Sequence, residues 1–212
     1  MKILVLSDSH SALQFMRQCA ESVKPDAIIH LGDFFDDGVV IHEENPDIPF
    51  YQVPGNCDRF RCPSWQPETL VQPVFGVNLF MTHGHRQNVK MGLVALLKDA
   101  RASRVDAVLY GHTHQADCCQ EPDGLWILNP GSCGYGGGTA GLIQVENRKI
   151  VRLLSIISIL SPIIFCASTC APAQKPDTIN IRVTSTFSCK NTDRSFPFQE
   201  IHSTPIIHTM IH

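Results

Sequence analysis

Five short segments in the first 114 residues concentrate aspartate, histidine and asparagine, whose oxygen and imidazole nitrogen atoms bind divalent metal ions. Four of these segments directly follow runs that are predicted to be β-strands. In α/β sheets the loops after the carboxyl ends of strands meet in one crevice, so residues distant in sequence can share a site there. The candidate metal ligands are Asp8, His10, Asp33, Asn56, His83, His112 and His114.

Each segment taken alone also has an ordinary structural explanation. Asp8 and His10 can point the same way from an extended backbone, but Asp8 could instead cap the following helix while His10 is solvated. Asp33 follows Gly32, which permits a tight turn, and Asn56 could simply occupy a β-turn. The combination of five such segments, rather than any single one, predicts a metal site.

The paired histidines are the more specific signals. His83 and His85, like His112 and His114, alternate beside a glycine, and this arrangement has few structural uses. His30 differs from them because it lies inside a predicted strand. It is expected to be a hydrogen-bonded residue of the core.

The order and spacing of the segments resemble the calcineurin-like metallophosphoesterase superfamily: DxH, then GDxxD, GNxD, HGH and GHTH. The likeness extends from residue 1 to about 152 and is greatest to the small bacterial and archaeal phosphodiesterase branch, in which an NPGS segment, here 129–132, often follows. The resemblance implies an α/β fold in which two sheets form a sandwich flanked by helices.

The resemblance also implies two divalent metal ions and hydrolysis of a phosphate ester by in-line attack of a metal-bridging hydroxide. The matched ligands divide between the ions. The first ligand set is Asp8, His10 and His114. The second ligand set is Asn56, His83 and His112. Asp33 would bridge the two ions.

The mixed set of oxygen and imidazole ligands suits manganese, which we favour, and also iron, zinc or nickel. Other polar residues beside the ligands are expected to support them. Asp36, Asp58 and Thr113 are candidates for orienting the histidines. Asp36 and Asp37 could equally cap a turn, the ordinary role of aspartate in loops.

Cys57 departs from the wider superfamily, many members of which carry a histidine at this position to protonate the leaving group. A thiol with an ordinary pKa of about 8.5 is a poor substitute. Diesters and esters with good leaving groups are therefore expected to react better than alkyl monoesters, and His85 is the next candidate acid. The predicted catalytic residues are Asp33, Asn56, His83, Cys57 and His85.

The expected substrate is a small phosphate ester. The sequence does not choose among a cyclic nucleotide, a nucleic-acid end, a phospholipid head group and a small metabolite. Arg59, Arg61 and Arg86 each adjoin a metal segment and could bind phosphate, but surface arginine is commoner. The alternative function is a non-catalytic scaffold, because a relative of this fold serves eukaryotic retromer in protein binding. The sequence is also compatible with a homo-oligomer.

The elements that must position these residues alternate strand and helix patterns over residues 1–152. This alternation predicts an α/β fold. The predicted strands are 3–6, 27–31, 50–53, 77–82, 107–110, 126–128, 142–145 and 150–154, and the predicted helices are 13–23 and 89–102.

Composition changes sharply after this region, which predicts a metallophosphoesterase domain at 1–155 and an irregular or disordered appendage at 156–212. The apolar run 153–167 is shorter than the ~20 residues of a spanning helix and contains Pro162. A membrane-adsorbing segment and a read-through sequence are the other interpretations of the appendage, and no firm membrane association is expected.

The bulk composition fits a folded enzyme of the cytoplasm. Hydrophobic residues make up 43% of the 212, which is enough for a core. The formal net charge of −3 gives no broad positive field for sequence-independent nucleic-acid binding. The N-terminus lacks a secretory pattern, and the nine cysteines lack CxxC spacing, so most are expected to be thiols.

Overall fold

A computed structural model describes residues 1–157, with side chains described through residue 153. Two five-stranded sheets lie face to face, with helices on their outer sides. The strands are β1 (Lys2–Leu6), β2 (Ala27–His30), β3 (Phe50–Gln52), β4 (Thr69–Val74), β5 (Val77–Thr82), β6 (Ala107–Leu109), β7 (Asp117–Gln120), β8 (Trp126–Asn129), β9 (Thr139–Glu146) and β10 (Lys149–Ile157). The helices are α1 (Leu13–Val23), α2 (Phe35–Glu44) and α3 (Val94–Ala102), and Asn56–Asp58 and Val89–Met91 are short 3₁₀ turns.

Each sheet has a parallel centre that sends its carboxyl ends to the same edge of the molecule. The first sheet has the order β10-β9-β1-β2-β3, in which β1, β2 and β3 run parallel. The second has the order β4-β5-β6-β8-β7, in which β5, β6 and β8 run parallel. Antiparallel strands complete both sheets. The predicted two-sheet α/β sandwich is confirmed.

The core is layered because successive residues of a strand face opposite sides of a sheet. In β1, Ile3 and Val5 join the apolar cluster between the sheets. Leu4 and Leu6 face the other way, into a cluster with α1 and α2. The second sheet packs α3 on its outer face in the same manner. Central strands covered on both faces read as continuous apolar runs, which is why the sequence predicts them well.

Three observed elements are absent from the sequence prediction. Edge strand β4 contains Pro73. Proline is tolerated in an edge strand, but in the sequence it indicates a loop. Edge strand β7 has the sequence DCCQ and lacks apolar alternation. Helix α2 has Gly38 and the β-branched Val39 in its interior, and both lower helix propensity.

The predicted helix 89–102 is wrong in its first third. The chain forms the 3₁₀ turn Val89–Met91 and starts α3 only at Val94. Gly92 separates them with φ +138°, a conformation that interrupts a helix. Lys90 is consequently presented on a short turn rather than along a helix face.

The predicted appendage lies outside the described residues, apart from positions 156 and 157, which continue β10. Within residues 1–157 no helix has the length and apolar character needed to cross a membrane. Cys19, Cys57, Cys62, Cys118 and Cys133 are all thiols, as predicted.

Candidate metal centre

The five predicted segments meet at the edge where the parallel strands of both sheets end. Asp8 follows β1, Asp33 follows β2 and Asn56 follows β3 in the first sheet, while His83 follows β5 and His112 follows β6 in the second. The crevice between the two sheets therefore collects ligands from both. All seven predicted metal ligands lie in this region.

The ligand loops have an unusual backbone. Asp8, His10, Asp33, His112 and His114 all have positive φ, between 43° and 68°. This left-handed conformation is uncommon outside glycine, although aspartate and histidine are enriched in it. Each such residue costs about 1 to 3 kcal/mol, and such strain concentrates at functional sites.

Four ligand atoms form one compact group. Asp8, His10, Asp33 and His114 each offer an atom, and these atoms lie within 4.8 Å of one another. The His114 Nε2 is 3.1 Å from Asp8 Oδ1. The His10 Nε2 is 3.9 Å from Asp33 Oδ2. This group contains the first ligand set together with Asp33.

His83 is the centre of a second group. Its Nε2 lies 3.2 Å from Asn56 Oδ1 and 3.2 Å from His112 Nδ1. The same nitrogen is 3.5 Å from Asp33 Oδ1. Asp33 therefore presents Oδ1 to the second group and Oδ2 to the first. A carboxylate with one oxygen toward each group has the arrangement that a bridging ligand needs.

The orientation of His83 is fixed by the backbone. Its Nδ1 is 2.8 Å from the carbonyl oxygen of Leu31, and because a carbonyl can only accept, Nδ1 carries the proton. Burial lowers the pKa of His83 to about 4, so the ring is neutral at pH 7. The Nε2 lone pair then faces the oxygens of Asn56 and Asp33, a repulsion that a cation would relieve.

The carboxylates of Asp8 and Asp33 differ in their surroundings. Burial raises the pKa of Asp8 to about 7, although Ser7 and the His112 N–H donate to it. Burial also opposes ionisation of Asp33, but His83, which is protonated at acid pH, and the Cys57 N–H outweigh it and hold the pKa of Asp33 below its usual 3.8. Asp33 is therefore charged at neutral pH, while Asp8 is close to its midpoint.

Two buried atoms support a metal fit. Asp8 Oδ1 and His10 Nε2 have no hydrogen-bond partner among the described residues. Buried polar atoms left unpaired are costly and rare. The atoms that converge here are carboxylate oxygens, an amide oxygen and imidazole nitrogens, which are ligands for a divalent ion of the manganese, iron or zinc type. The residues present thus fit the implied metal.

Glycines allow the ligand segments to approach closely. A Cβ at Gly55 would collide with the carboxylate of Asp33. A Cβ at Gly111 would collide with the hydroxyl of Ser7, the residue that donates to Asp8. These contacts give a physical reason for the glycines of the GNxD and GHTH motifs.

Buried aspartates tie the segments together. Asp58 accepts hydrogen bonds from the N–H groups of Phe34, Phe35 and Gly55, and so joins the second segment to the third. Asp37 accepts from Ser9 Oγ and from the Ser11 N–H, which holds the first segment. His30 is fully buried with its Nε2 3.2 Å from Ser9 Oγ, as predicted for a core histidine.

The prediction that Asp36, Asp58 and Thr113 orient the histidines is wrong. Asp36 is exposed and pairs with Arg61. Asp58 holds backbone N–H groups instead, and the Thr113 hydroxyl accepts a hydrogen bond from the Asn129 amide at 2.9 Å. The backbone carbonyl of Leu31 orients His83 instead. The sequence could not indicate this contact, because every residue has a carbonyl.

Cys57 and His85 both lie at the rim of the second group. Cys57 is exposed as a residue, but partial desolvation of its thiol and the negative charge of nearby Asp33 raise the pKa of the thiol to about 11. The His85 ring is 5.4 Å from His83 and 6.2 Å from His112. Burial lowers the pKa of His85, and its Nδ1 has no hydrogen-bond partner among the described residues.

Each of the three arginines near the site contacts a residue other than the metal ligands. Arg86 forms a bidentate salt bridge with Glu68, with N–O distances of 2.6 and 2.7 Å. Arg61 lies over the ring of Phe34, and Arg59 lies over that of Phe60. Lys90, which the sequence prediction missed, is instead the cation whose charge acts on Asp8, His112 and His114. The available signal was its position a short distance after the HGH segment, with residues 86–89 between them.

The fold and the site together define a metallophosphoesterase. Residues 1–148 match the calcineurin-like phosphoesterase superfamily domain, and the chain belongs to that family. It is 31% identical over 166 residues to a phosphodiesterase of Methanocaldococcus jannaschii, a match that covers 70% of this chain and 96% of that protein.

Solved structures share the fold. A predicted phosphoesterase from Streptococcus pneumoniae superimposes with a TM-score of 0.61 at 24% identity, covering 74% of this chain and 88% of that one. Vacuolar protein sorting 29 from Cryptosporidium parvum superimposes with a TM-score of 0.62 at 18% identity, covering 74% and 91%. At these identities the likeness concerns the fold alone.

Proposed function

We propose that the chain is a dinuclear metal-dependent phosphodiesterase. The observation that carries the proposal is the position of Asp33, whose two carboxylate oxygens face two separate groups of metal-binding atoms. Membership of the phosphoesterase family supports hydrolysis of a phosphate ester. The phosphodiesterase name of the archaeal relative supports the choice of a diester.

The proposed ligand sets follow the two groups of atoms. Asp8, His10, Asp33 and His114 would hold one ion. Asp33, Asn56, His83 and His112 would hold the other. Manganese is the favoured metal because carboxylate and amide oxygens accompany the imidazoles, and Fe²⁺, Zn²⁺ or Ni²⁺ are the alternatives.

A pair of divalent ions, when bound, supplies Lewis acidity for the phosphoryl oxygens and lowers the pKa of water to about 7. The side chains of this protein set the geometry. Asp33 fixes the spacing of the two groups, and the Leu31 carbonyl keeps the His83 Nε2 directed into the crevice. The exposed Lys90 adds positive charge that acts on His112 and His114 and would favour binding of an anionic phosphate ester.

A preference for diesters follows from the residues at the rim. The Cys57 thiol stays protonated with a pKa of about 11, so it is a weak acid toward a departing alkoxide. His85 is the second candidate acid, but its lowered pKa leaves it mostly neutral at pH 7. Esters with stable leaving groups need no such acid and should react faster.

Replacing Cys57 by histidine is expected to raise the turnover of an alkyl monoester relative to that of a diester by at least about tenfold, because a well-positioned general acid contributes roughly 10²- to 10⁴-fold. Both rates are measured on the same preparation with an alkyl phosphomonoester, whose leaving group needs protonation, and an aryl phosphodiester, whose leaving group does not. Cys62→His is the matched control, since it makes the same change a few residues away. An unchanged ratio in Cys57→His contradicts the role assigned to position 57.

The proposal as a whole is tested on the full purified chain. We expect about two equivalents of manganese per chain by elemental analysis and turnover of a chromogenic phosphodiester that ceases on chelation. A scaffold without catalysis, the alternative function, would give a folded chain that is inert with manganese, iron, zinc and nickel. Cytoplasmic location, oligomeric state and any nucleic-acid substrate remain predictions from sequence.

A further inference from the structure

Two aromatic rings border the first ligand set without being ligands. The Tyr135 ring stacks on that of His114 with 4.9 Å between centroids and 18° between planes. It also meets the His10 ring edge-on at 4.9 Å. Phe34 meets His10 at 5.0 Å and 65°. The surface around His10 is therefore aromatic on more than one side.

Tyr135 is held in place by its backbone while its side chain stays open. The N–H groups of Gly134 and Tyr135 donate to Ser132 Oγ at 3.2 and 3.1 Å. The Ser132 hydroxyl in turn donates to the Asp8 carbonyl at 2.8 Å. This chain of hydrogen bonds ties the loop to a metal-ligand segment. The Tyr135 residue is nevertheless 55% exposed, so its ring can contact a bound molecule.

Phe34 is also held in a particular position. Its φ of 71° is a left-handed conformation that is uncommon and unfavourable for a bulky residue. The conformation persists because buried Asp58 accepts the Phe34 N–H at 2.8 Å. Backbone strain of this kind concentrates at functional sites, and here it places a partly exposed aromatic ring beside His10. The Arg61 guanidinium lies over one face of this ring, 4.9 Å from its centroid, so a ligand can use only the rest of its surface.

We propose that Tyr135 and Phe34 are specificity-determining residues that select phosphate esters carrying a planar aromatic group, either a nucleobase or an aryl ring. Exposed aromatic side chains bind planar rings by stacking and need no particular hydrogen-bond pattern. Sugar phosphates and alkyl phosphates have no ring to stack. The inference rests on the proposed function, since it names the substrate class of that same site.

A purely structural role for Tyr135 makes a different prediction. If the ring served only to pack His10 and His114, removing it would weaken every phosphate ligand by the same factor. A stacking role weakens only the ligands that carry a ring. The ratio of affinities between matched ligands therefore separates the two roles.

The experiment is calorimetric titration of the full-length, manganese-loaded chain with adenosine 5′-monophosphate, phenyl phosphate and ribose 5-phosphate. Wild type and Tyr135→Phe, which keeps the ring, are expected to bind ring-bearing ligands about tenfold more tightly than ribose 5-phosphate. Tyr135→Leu, which keeps the bulk without the ring, is expected to lose most of that preference. Phe34→Leu should lose a smaller part, because Phe34 is less exposed than Tyr135.

The outcomes distinguish a nucleobase from an aryl ring as the preferred group. They also distinguish failure of the aromatic-selectivity proposal from failure of the phosphodiesterase proposal. A preference for both ring-bearing ligands supports selection of any planar ring, and a preference for the nucleotide alone supports a nucleobase. The inference is overturned by a wild type without preference, or by Tyr135→Leu retaining the preference or weakening all three ligands equally. Turnover of a chromogenic diester is recorded separately. An inert chain that still prefers ring-bearing ligands would refute only the phosphodiesterase proposal.

Discussion

Replacing Asp33 by asparagine is expected to lower the turnover of a chromogenic phosphodiester by about a thousandfold, the upper range for loss of one group that stabilises transition-state charge. The physical reason is that the Asp33 carboxylate faces both groups of metal-binding atoms. Asp33 Oδ1 lies 3.5 Å from His83 Nε2, and its Oδ2 lies 3.9 Å from His10 Nε2. The amide nitrogen of asparagine cannot bind a cation, so one of the two groups loses its shared ligand. Steady-state rates and manganese content are measured together.

The matched control for Asp33 is Asp36→Asn in the same segment. The Asp36 side chain is 61% exposed, and its carboxylate pairs with Arg61 at 3.3 Å. An exposed pair of this kind contributes little, so turnover and metal content should stay near those of the wild type. Asp33→Asn with full turnover and two bound ions would disprove the bridging role.

The sequence predicts the parts of this fold that depend on local pattern. Strand β5 and helix α1 match the predicted bounds because their apolar residues repeat with the period of a buried strand or of a helix face. The convergence of Asp8, Asp33 and His83 also follows from sequence, since strand ends in an α/β sandwich share one edge. The assignment of individual ligands to two ions remains a prediction.

Other features depend on contacts between distant residues, which local pattern does not contain. The hydrogen bond from Ser132 to the Asp8 carbonyl joins residues 124 apart in sequence and fixes Tyr135 beside His114. Lys90 acquires its place from the break at Gly92. Strand β4 is recognisable only once β5 is present to pair with it, because Pro73 otherwise marks a loop.

Replacing Asp8 by asparagine is expected to stabilise the metal-free chain at pH 8 and to reduce its stabilisation by manganese. Burial raises the pKa of Asp8 from 3.8 to about 7. Such a group contributes stability that is fully present below pH 3.8 and is lost as the pH rises through about 7. At pH 8 the metal-free native state therefore holds an unfavourable buried charge, of order 2 to 4 kcal/mol.

Asparagine is well matched to the position. It tolerates the left-handed backbone of Asp8, whose φ is 51°. Its amide oxygen can accept the hydrogen bonds that Ser7 and the His112 N–H now donate to Asp8. The change therefore removes the charge while leaving the surrounding contacts in place.

The free energy of unfolding of the metal-free chains is measured by urea denaturation at pH 5 and pH 8. Asp8→Asn should exceed the wild type at pH 8, and the difference should shrink toward pH 5 as the wild-type carboxyl becomes protonated. Manganese at a hundredfold excess over its dissociation constant should stabilise the wild type by about 2.7 kcal/mol and the variant much less. Adding the metal should therefore shrink or reverse the difference in free energy of unfolding between Asp8→Asn and the wild type.

The control is Asp47→Asn, an exposed aspartate outside the crevice, which should follow the wild type under every condition. Equal stability of Asp8→Asn and wild type at pH 8 without metal would show that burial does not disfavour the Asp8 charge. Equal stabilisation of both by manganese would show that Asp8 is not a ligand. The metal-free instability and the metal affinity have one cause. The buried Asp8 carboxylate, whose Oδ1 accepts no hydrogen bond from the described residues, is unfavourable when charged in the empty fold and is available to a cation.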